Sequence, residues 1–459
     1  MKKFTVYRLL FTMSTGICIF LVILSGVEGF AQNASDTSKS FFSLKQAIDY
    51  AMQNQHTIKN ALLDEQIAEN KVKEIVGIGL PQINGSFDVK DFIEIPTSLI
   101  PGEIFGAPPG TYIGVKFGTK YSSSVGIDAS QLIFSSDYLV GLQATKTYLD
   151  LTKKATQRTK IETSVAVTKA YYSVLLNEER MKLVEDNVTR LKKLMDDTQI
   201  LNANGFAEKI DLDRITVTYN NLLVEKEKIH RMMDLGIALL KFQMGMQQTV
   251  SLTLTDKLAD VKLDVTSSAD KVNYPNRIEY SLLETQRNAA KLQLKKDKLS
   301  YLPNMALYGA INANAYRQEF NIFDTKKSWY PTELIGVRIG VPIFSGGQKH
   351  YRIQQSKLGL IKSENNMEFI QQSIDLEVAS AKANLQNASA SLETQKKNIE
   401  LAEEIYKVAK LKYEQGVGSN LEVLNAETSL KESQTNYFSA LYDALISKVD
   451  YDKANGTIK

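Results

Sequence analysis

Two acidic residues follow two glycines at the same distance, in separate parts of the chain. Asp211 lies six positions after Gly205, and Glu422 lies six positions after Gly416. An acid in the first turn of a helix complements the helix dipole, which contributes about 0.3–1 kcal/mol. If several copies of the chain met at these positions, each acid would become part of a ring of carboxylates, and such rings select cations.

The sequence offers no catalytic chemistry besides these acids. His56, His230 and His350 are the only histidines and fall on separate predicted helices, without metal-ligand spacing. Neither a phosphate-binding glycine loop nor a G-x-S-x-G nucleophile motif occurs. The sequence therefore predicts a protein that is not an enzyme and that needs no cofactor or metal.

The first 31 residues have the pattern of a secretory signal peptide. A basic start precedes an apolar stretch over 9–24, and small residues stand at 29 and 31. A true membrane anchor is the alternative interpretation. The only cysteine, Cys18, lies inside the apolar stretch behind Ile17, whereas a lipid-bearing cysteine normally follows a small residue. We expect a mature chain from about Gln32, without cysteine chemistry.

The mature chain is nearly neutral, with 52 basic and 51 acidic residues after position 31. A nucleic-acid-binding protein would need a basic stripe, so this class is disfavoured. No later apolar run approaches the roughly 18 residues of a membrane-spanning helix. The sequence thus predicts an exported protein without a membrane helix.

The remaining chain reads as one half-molecule written twice. Ile133-Phe134-Ser135 recurs as Ile343-Phe344-Ser345, and Leu80-Pro81 recurs as Leu302-Pro303. A solenoid would repeat every 20–50 residues or so, which is far shorter. The predicted parts are a first repeat at 32–247, an outer insert or linker at 248–273, and a second repeat at 274–459.

Each repeat begins with a helix and a two-stranded hairpin. Helix-forming residues precede each Leu-Pro, and apolar and polar residues then alternate as in two-faced strands. Prolines and glycines between the strands predict loops. The segments are a helix at 43–79, a hairpin at 83–134 with a loop at 93–120, a helix at 275–301, and a hairpin at 304–344 with a loop at 318–331; the clearest strand alternates from 335 to 343.

A very long helical hairpin completes each repeat. From Ser136 to Asn204 there is no proline and one glycine, so about 69 helical residues would extend about 100 Å. The chain reverses near Gly205 and returns to about Gln247. The second hairpin starts at Ser345, reverses near Gly416 and ends at about 453. Apolar residues at coiled-coil spacing line both outgoing helices: Val184, Val188, Leu191 and Met195, then Leu401, Ile405, Val408 and Leu411.

Four strands cannot close a membrane barrel, because the smallest such barrels have eight. Open strand edges are not tolerated in lipid, so transmembrane strands would require several chains to share one barrel. Three chains would supply twelve strands. The alternative is a soluble protein whose strands form a small sheet at the end of a coiled coil.

From about Phe42 to Asn455 the sequence resembles the TolC family of outer-membrane efflux factors. Each matching string is weak alone, but their duplicated order is specific. The strings are Ser43 to Ile48 followed by Ala51 and Asn54, the two Leu-Pro sites, Pro342 to Gly347, and Tyr413 to Ala426. The family often has Asn-Pro where this chain has Asn54-Gln55, which we interpret as a difference in local capping.

The resemblance implies a mainly α-helical homotrimer with a twelve-stranded barrel in outer-membrane lipid and a helical tunnel in the periplasm. The hairpin tips would close the tunnel and dock on a periplasmic adaptor that is tied to an inner-membrane pump. The chain would then be the exit duct of tripartite efflux or type I secretion. A soluble periplasmic coiled-coil adaptor or scaffold is the competing class, although adaptors have one hairpin and no such strand pairs.

The resemblance also suggests roles for residues near the tips. Glu422 matches an acid that lines the closed aperture in the family, Asn425 falls where some members have a second acid, and Asp211 is the counterpart of Glu422 in the first repeat. Tyr413 matches a residue that helps to hold the closed state, and ordinary packing is its alternative role. The expected adaptor-docking residues are Gly205, Phe206, Gly416, Val417, Gly418 and Ser419. Because the second tip matches the family more closely, we expect it to dominate gating.

Overall fold

The computed structural model describes residues 40–258, 272–324 and 326–458, so the predicted signal peptide at 1–31 lies outside the described residues. Helices form most of the described chain. The helices are α1 Leu44–Asn54, α2 His56–Gly77, α3 Ser136–Ala203, α4 Lys209–Met244, α5 Ile278–Leu299, α6 Gln348–Glu414 and α7 Asn420–Ala454. The strands are β1 Ser40–Phe42, β2 Gln82–Asp91, β3 Thr97–Pro101, β4 Tyr112–Lys116, β5 Tyr121–Phe134, β6 Leu252–Leu254, β7 Asn304–Arg317 and β8 Tyr330–Gly340.

The single helix predicted at 43–79 is wrong, because α1 and α2 are separated at Gln55. The backbone of Gln55 is extended, and its side-chain oxygen accepts a hydrogen bond from the backbone N–H of Thr57 at 2.6 Å. Ser43 caps the first helix in the same way, together with Gln46 in a capping box. Glutamine is a good helix former, so composition alone hid this break.

The end of the return helix α4 packs against this break, and the end of the return helix α7 packs against a similar turn in the second repeat. We call these two contacts the joints. Gly245 follows α4 with a φ of +71°, and a Cβ there would lie 2.6 Å from the carbonyl oxygen of Asn54. Gly456 follows α7 with a φ of +69°, and a Cβ there would lie 2.9 Å from the carbonyl oxygen of Asn276. Glycine permits both the left-handed turn and the close backbone approach.

One four-stranded antiparallel sheet joins the two repeats in the order β2-β5-β7-β8. Its central pair brings β5 of the first repeat against β7 of the second, so that Tyr121 faces Arg317 and Ser130 faces Tyr308. The outer strands β2 and β8 pair on one side only among the described strands. The sheet is therefore open at two edges, which each offer a row of backbone hydrogen-bonding groups.

The connections around the sheet differ from the prediction. The segment 93–120, expected to be a loop, contains the antiparallel pair β3–β4, which its prolines and glycines had concealed. Strand β8 ends at Gly340 instead of 343. Helix α6 starts at Gln348 because Gly346 and Gly347 both have a positive φ, which breaks the chain before the helix.

The two helical hairpins have different internal seams. In the first, the predicted coiled-coil spacing is confirmed: Val184 and Leu191 are buried against Ile215, Leu222 and Ile229 of α4. In the second, smaller side chains and an aromatic one form the seam, namely Ala402 and Tyr406 of α6 with Val423, Ala426 and Leu430 of α7. The apolar stripe predicted on α6, which comprises Leu401, Ile405, Val408 and Leu411, lies on the exposed side of that helix.

Of the insert predicted at 248–273, the structure describes 248–258 and 272–273, while 259–271 lies outside the described residues. Strand β6 pairs in parallel with β1, so the insert is attached to the segment that precedes α1. One carboxylate oxygen of Asp256 accepts hydrogen bonds from the backbone N–H of Leu44 at 2.8 Å and from the Tyr171 hydroxyl at 3.0 Å. Burial and the neighbouring Asp256 raise the pKa of Tyr171, which keeps this hydroxyl a donor.

Candidate functional site

The first tip turns through Gly205, whose φ of +77° is the reason for glycine at this position. The backbone N–H of Phe206 donates to the carbonyl of Leu201 at 2.8 Å, which closes the last turn of α3. The side chain of Asn202 donates to the carbonyl of Ala207 at 2.8 Å. An amide side chain thus ties the two sides of this turn together.

The second tip turns through Gly416, with a φ of +73°. The backbone N–H groups of Val417 and Gly418 both donate to the carbonyl of Lys412 at 3.0 Å. Gly418 does not have a positive φ, but a Cβ there would lie 2.9 Å from the backbone nitrogen of Tyr413. Sequence reasoning predicted a docking role for Gly418 and missed this steric requirement.

The return helices begin with different caps. The hydroxyl of Ser419 accepts a hydrogen bond from the backbone N–H of Glu422 at 3.2 Å, whereas Glu208 at the matching position makes no side-chain cap. Both tips expose an apolar side chain directly after the glycine. Phe206 is 82% exposed and Val417 is 79% exposed. The tips are therefore hydrogen-bonded turns that carry an apolar residue at the end of each hairpin.

The predicted gate residues fall into separate places. Glu422 and Asn425 line one groove of about 600 Å³ beside the exposed apolar stripe of α6. Tyr413 is half-buried and lines a second cleft, of about 540 Å³, between the two tips. Asp211 lies on the other return helix, where its carboxylate is 3.6 Å from Arg214. Within one chain, the structure thus brings Glu422 together with Asn425 but not with Tyr413.

The expected docking residues partly converge. The cleft between the tips is lined by Phe206, Gly416 and Gly418 in addition to Tyr413. Its walls mix apolar and charged side chains, since Leu201 and Leu194 alternate with groups such as Lys193, Asp197, Lys410 and Glu414. A cleft with this lining can accept the amphipathic side of a helix.

A buried polar cluster links the two hairpins behind the tips, and sequence reasoning missed it. The side-chain amide of Asn187 donates to the side-chain oxygen of Gln434 at 2.8 Å, and both residues are buried. The guanidinium of Arg190 lies 3.3 Å from a carboxylate oxygen of Glu427. These partners are more than 230 positions apart in sequence, so no local pattern announces them.

Aromatic and ionic contacts extend this cluster. Arg190 also stacks on the ring of Tyr406, with 5.1 Å between the guanidinium carbon and the ring centre. Burial, and to a smaller extent the charge of Glu427, raise the pKa of Tyr406 to about 12. Burial likewise raises the pKa of Glu427, although Arg190 opposes that shift. Nearby, Glu225 of α4 is 2.5 Å from Lys431 of α7, a second link between the hairpins.

The described residues contain neither a metal-binding cluster nor a helix suited to span a membrane. No group of three or more His, Cys, Asp or Glu side chains in the described ranges is arranged to hold a metal ion. None of the helices in those ranges is long and apolar enough to cross a membrane.

Comparison with known proteins identifies a family match in the second repeat. Residues 281–457 match the family described as outer membrane efflux protein. The probable efflux pump outer membrane protein TtgC of Pseudomonas putida is 23% identical over 340 residues, which cover 74% of this chain and 69% of the relative. The outer membrane protein TolC of Vibrio cholerae is 20% identical over 340 residues, which cover 73% and 77% of the two chains.

Solved structures share the fold over most of the chain. The outer membrane protein VceC of Vibrio cholerae superimposes with a TM-score of 0.68 at 16% identity, over 90% of this chain and 96% of that chain. The long helical hairpins joined by a small sheet therefore have the same fold as that outer membrane protein.

Proposed function

We propose that this chain, a member of the TolC family of outer-membrane efflux proteins, is one third of a passive duct that exports material across the outer membrane. Three copies form the duct, with the sheet in the outer membrane and the helical hairpins in the periplasm. The hairpin tips gate it. Energy comes from an inner-membrane pump, reached through a periplasmic adaptor of a tripartite efflux or type I secretion system.

The open four-stranded sheet is the observation that carries this proposal. Strands β5 and β7 each have 14 residues and β8 has 11, lengths that suit tilted strands across a bilayer. Edge strands β2 and β8 need partners in lipid, where unpaired backbone groups are not tolerated. Pairing β2 of one copy with β8 of the next closes a barrel of twelve strands after three copies.

The helical hairpins carry faces that suit the same assembly. Helix α4 exposes Ile210, Val217 and Val224 at heptad spacing, on the side away from its seam with α3. The second hairpin exposes the apolar stripe of Leu401, Ile405 and Val408 on α6. Two different complementary faces generate a closed ring when the rotation between copies closes, and a three-fold rotation does so here.

The gate and docking roles follow from that ring. Three copies of Glu422, with Asn425 one turn further along α7, line the narrow end and favour cations. Asp211 forms a second, weaker ring on the first return helix, and Tyr413 holds the second hairpin in its closed position. The adaptor docks on the tip residues Gly205, Phe206 and Gly416 to Ser419, where exposed Phe206 and Val417 supply apolar contacts.

Membrane fractionation followed by sizing tests the proposal. We expect the protein in outer membranes, released only by detergent, as a particle three times the mass of the chain. The variant Val337→Pro in the edge strand β8 should lose the trimer, because proline removes a backbone donor from the strand. Recovery of wild-type protein as a soluble periplasmic monomer would favour the adaptor or scaffold alternative and reject the duct.

A further inference from the structure

Glu427 is a buried acid whose charge is poorly compensated. It is 5% exposed and sits on α7, about two turns from the start of that helix at Asn420, where α7 meets α3 of the other hairpin. One carboxylate oxygen lies 3.3 Å from Arg190, a long contact for an ion pair. The other oxygen, Oε2, is buried and makes no hydrogen bond to any described residue.

The neighbouring cations are engaged elsewhere. Arg190 is shared between Glu427, the side-chain oxygen of Asn187 and the ring of Tyr406. Lys431, on the same helix as Glu427, is bound to Glu225 of α4 at 2.5 Å. Lys410 of α6 adds a favourable charge from a greater distance, without a direct hydrogen bond to Glu427 in the described chain. Glu427 therefore has one partial partner for two carboxylate oxygens.

When it is ionised, the buried carboxylate of Glu427 weakens the contact between α7 and α3 that buries it. Desolvation of a charge is costly unless hydrogen bonds replace those made with water, and here one of the two carboxylate oxygens has none within the described chain. The penalty disappears in two ways: the two hairpins separate and water reaches the carboxylate, or the carboxyl group takes up a proton. The first event would accompany opening of the tips.

We propose that Glu427 is a positioning residue that keeps the closed tips poised to open: ionised, it weakens the contact between the two hairpins of one chain, and neutralised, it strengthens that contact. This inference rests on the proposed function, in which the tips separate during export. Glu427 acts through the contact with Arg190 and does not itself line the duct.

The expected pH dependence has a definite sign. Burial raises the pKa of Glu427 above its ordinary value of 4.5 in the closed state, and exposure to water in the open state returns it towards that value. The closed state therefore binds the proton more tightly, and a fall in pH through this window favours closure. An acid with a lowered pKa in the closed state would show the opposite dependence.

Single-channel recording of the full-length trimer in planar bilayers tests the inference. For wild-type protein, we expect the open probability to fall about threefold or more between pH 7.5 and pH 5. Glu427→Gln, which is neutral and nearly isosteric, should show the low open probability already at pH 7.5 and lose this pH dependence. Glu432→Gln is the matched control, since Glu432 is exposed on the same helix and its loss removes the same charge.

Three results would overturn the inference. A pH profile of Glu427→Gln that equals the wild-type profile, with only thermal stability raised, would make Glu427 a structural group. A higher open probability of Glu427→Gln at pH 7.5 would show that the pair with Arg190 is a latch. A wild-type trimer that opens normally but shows no pH response would reject the inference and leave the duct intact, whereas failure of wild-type protein to form any channel would reject the duct.

Discussion

The two tips share one backbone turn and reinforce it by different means. In both, a positive-φ glycine is followed by a residue whose N–H closes the turn, Phe206 on the carbonyl of Leu201 and Val417 on that of Lys412. At the first tip, amide side chains add to this turn: Asn202 donates to the carbonyl of Ala207, and Asn204 donates to the carbonyl of Ile200 at 2.7 Å. At the second, a further backbone N–H, that of Gly418, shares the carbonyl of Lys412.

This difference teaches that the turn geometry and the tip surface are separable. One glycine fixes the reversal, and the residues around it are then free to diverge as long as the backbone groups find partners. The second tip, which lies within the range matched by the family, keeps a compact backbone turn. The first tip adds amide side chains to the same backbone turn and carries an exposed Phe206.

The largest expected effect comes from adding a methyl group at the second tip. Gly418→Ala should lower the local opening free energy of residues 412–420 by about 2–3 kcal/mol, because the Cβ would overlap the backbone at Tyr413. Ala207→Gly at the matching position should cost less than about 1 kcal/mol, the entropic effect of glycine alone. Hydrogen–deuterium exchange of both tips measures these values, and equal effects would contradict a tip-specific steric role.

A smaller effect is expected from the helix caps. Ser419→Ala should destabilise the start of α7 by about 1 kcal/mol, because the N–H of Glu422 loses its acceptor. Glu208→Ser should add a cap to α4 and stabilise it by about 0.5–1 kcal/mol. Exchange rates of the first turns provide the measurement. A neutral result for Glu208→Ser would mean that backbone geometry at the first tip does not admit the cap.

The smallest expected effect concerns ion selectivity. Glu422→Gln removes three charges from the proposed ring and should lower cation-to-anion permeability about threefold, whereas Asp211→Asn should change it less than twofold. Reversal potentials in a salt gradient across planar bilayers give both ratios. Unchanged selectivity and conductance in Glu422→Gln would remove this residue from the constriction, and a larger effect of Asp211→Asn would assign gating to the first tip.

The sequence predicted the features that depend on local chemistry. Long segments without proline predicted the two outgoing helices α3 and α6, and the alternation of apolar and polar residues predicted the strands of the sheet. Gly205 and Gly416 indicated where the helical hairpins reverse. The sequence did not predict the break at Gln55, because its cap depends on a backbone conformation and not on an unusual residue. It did not predict the β3–β4 pair either, since the prolines and glycines of this segment are typical of loops.

Features that depend on distant contacts could not be predicted. The stripe of Leu401, Ile405 and Val408 has coiled-coil spacing, but spacing does not tell which surface will cover it. Within the chain, Ala402 and Tyr406 of α6 pack against α7 in place of this stripe. The pairing of Asn187 with Gln434 and of Arg190 with Glu427 arises only when the two hairpins lie side by side.

The joints at Gly245 and Gly456 have a mechanical consequence. Arg277 fixes the second joint by donating to the carbonyl of Ala454 at 2.6 Å and by pairing with Glu377 at 2.7 Å. The return helices α4 and α7 extend from these joints to the tips over 36 and 35 residues, and each is roughly 50 Å long. A tilt of about 6° at a joint therefore moves a tip by about 5 Å, enough to change the bore of a narrow tube without breaking a helix.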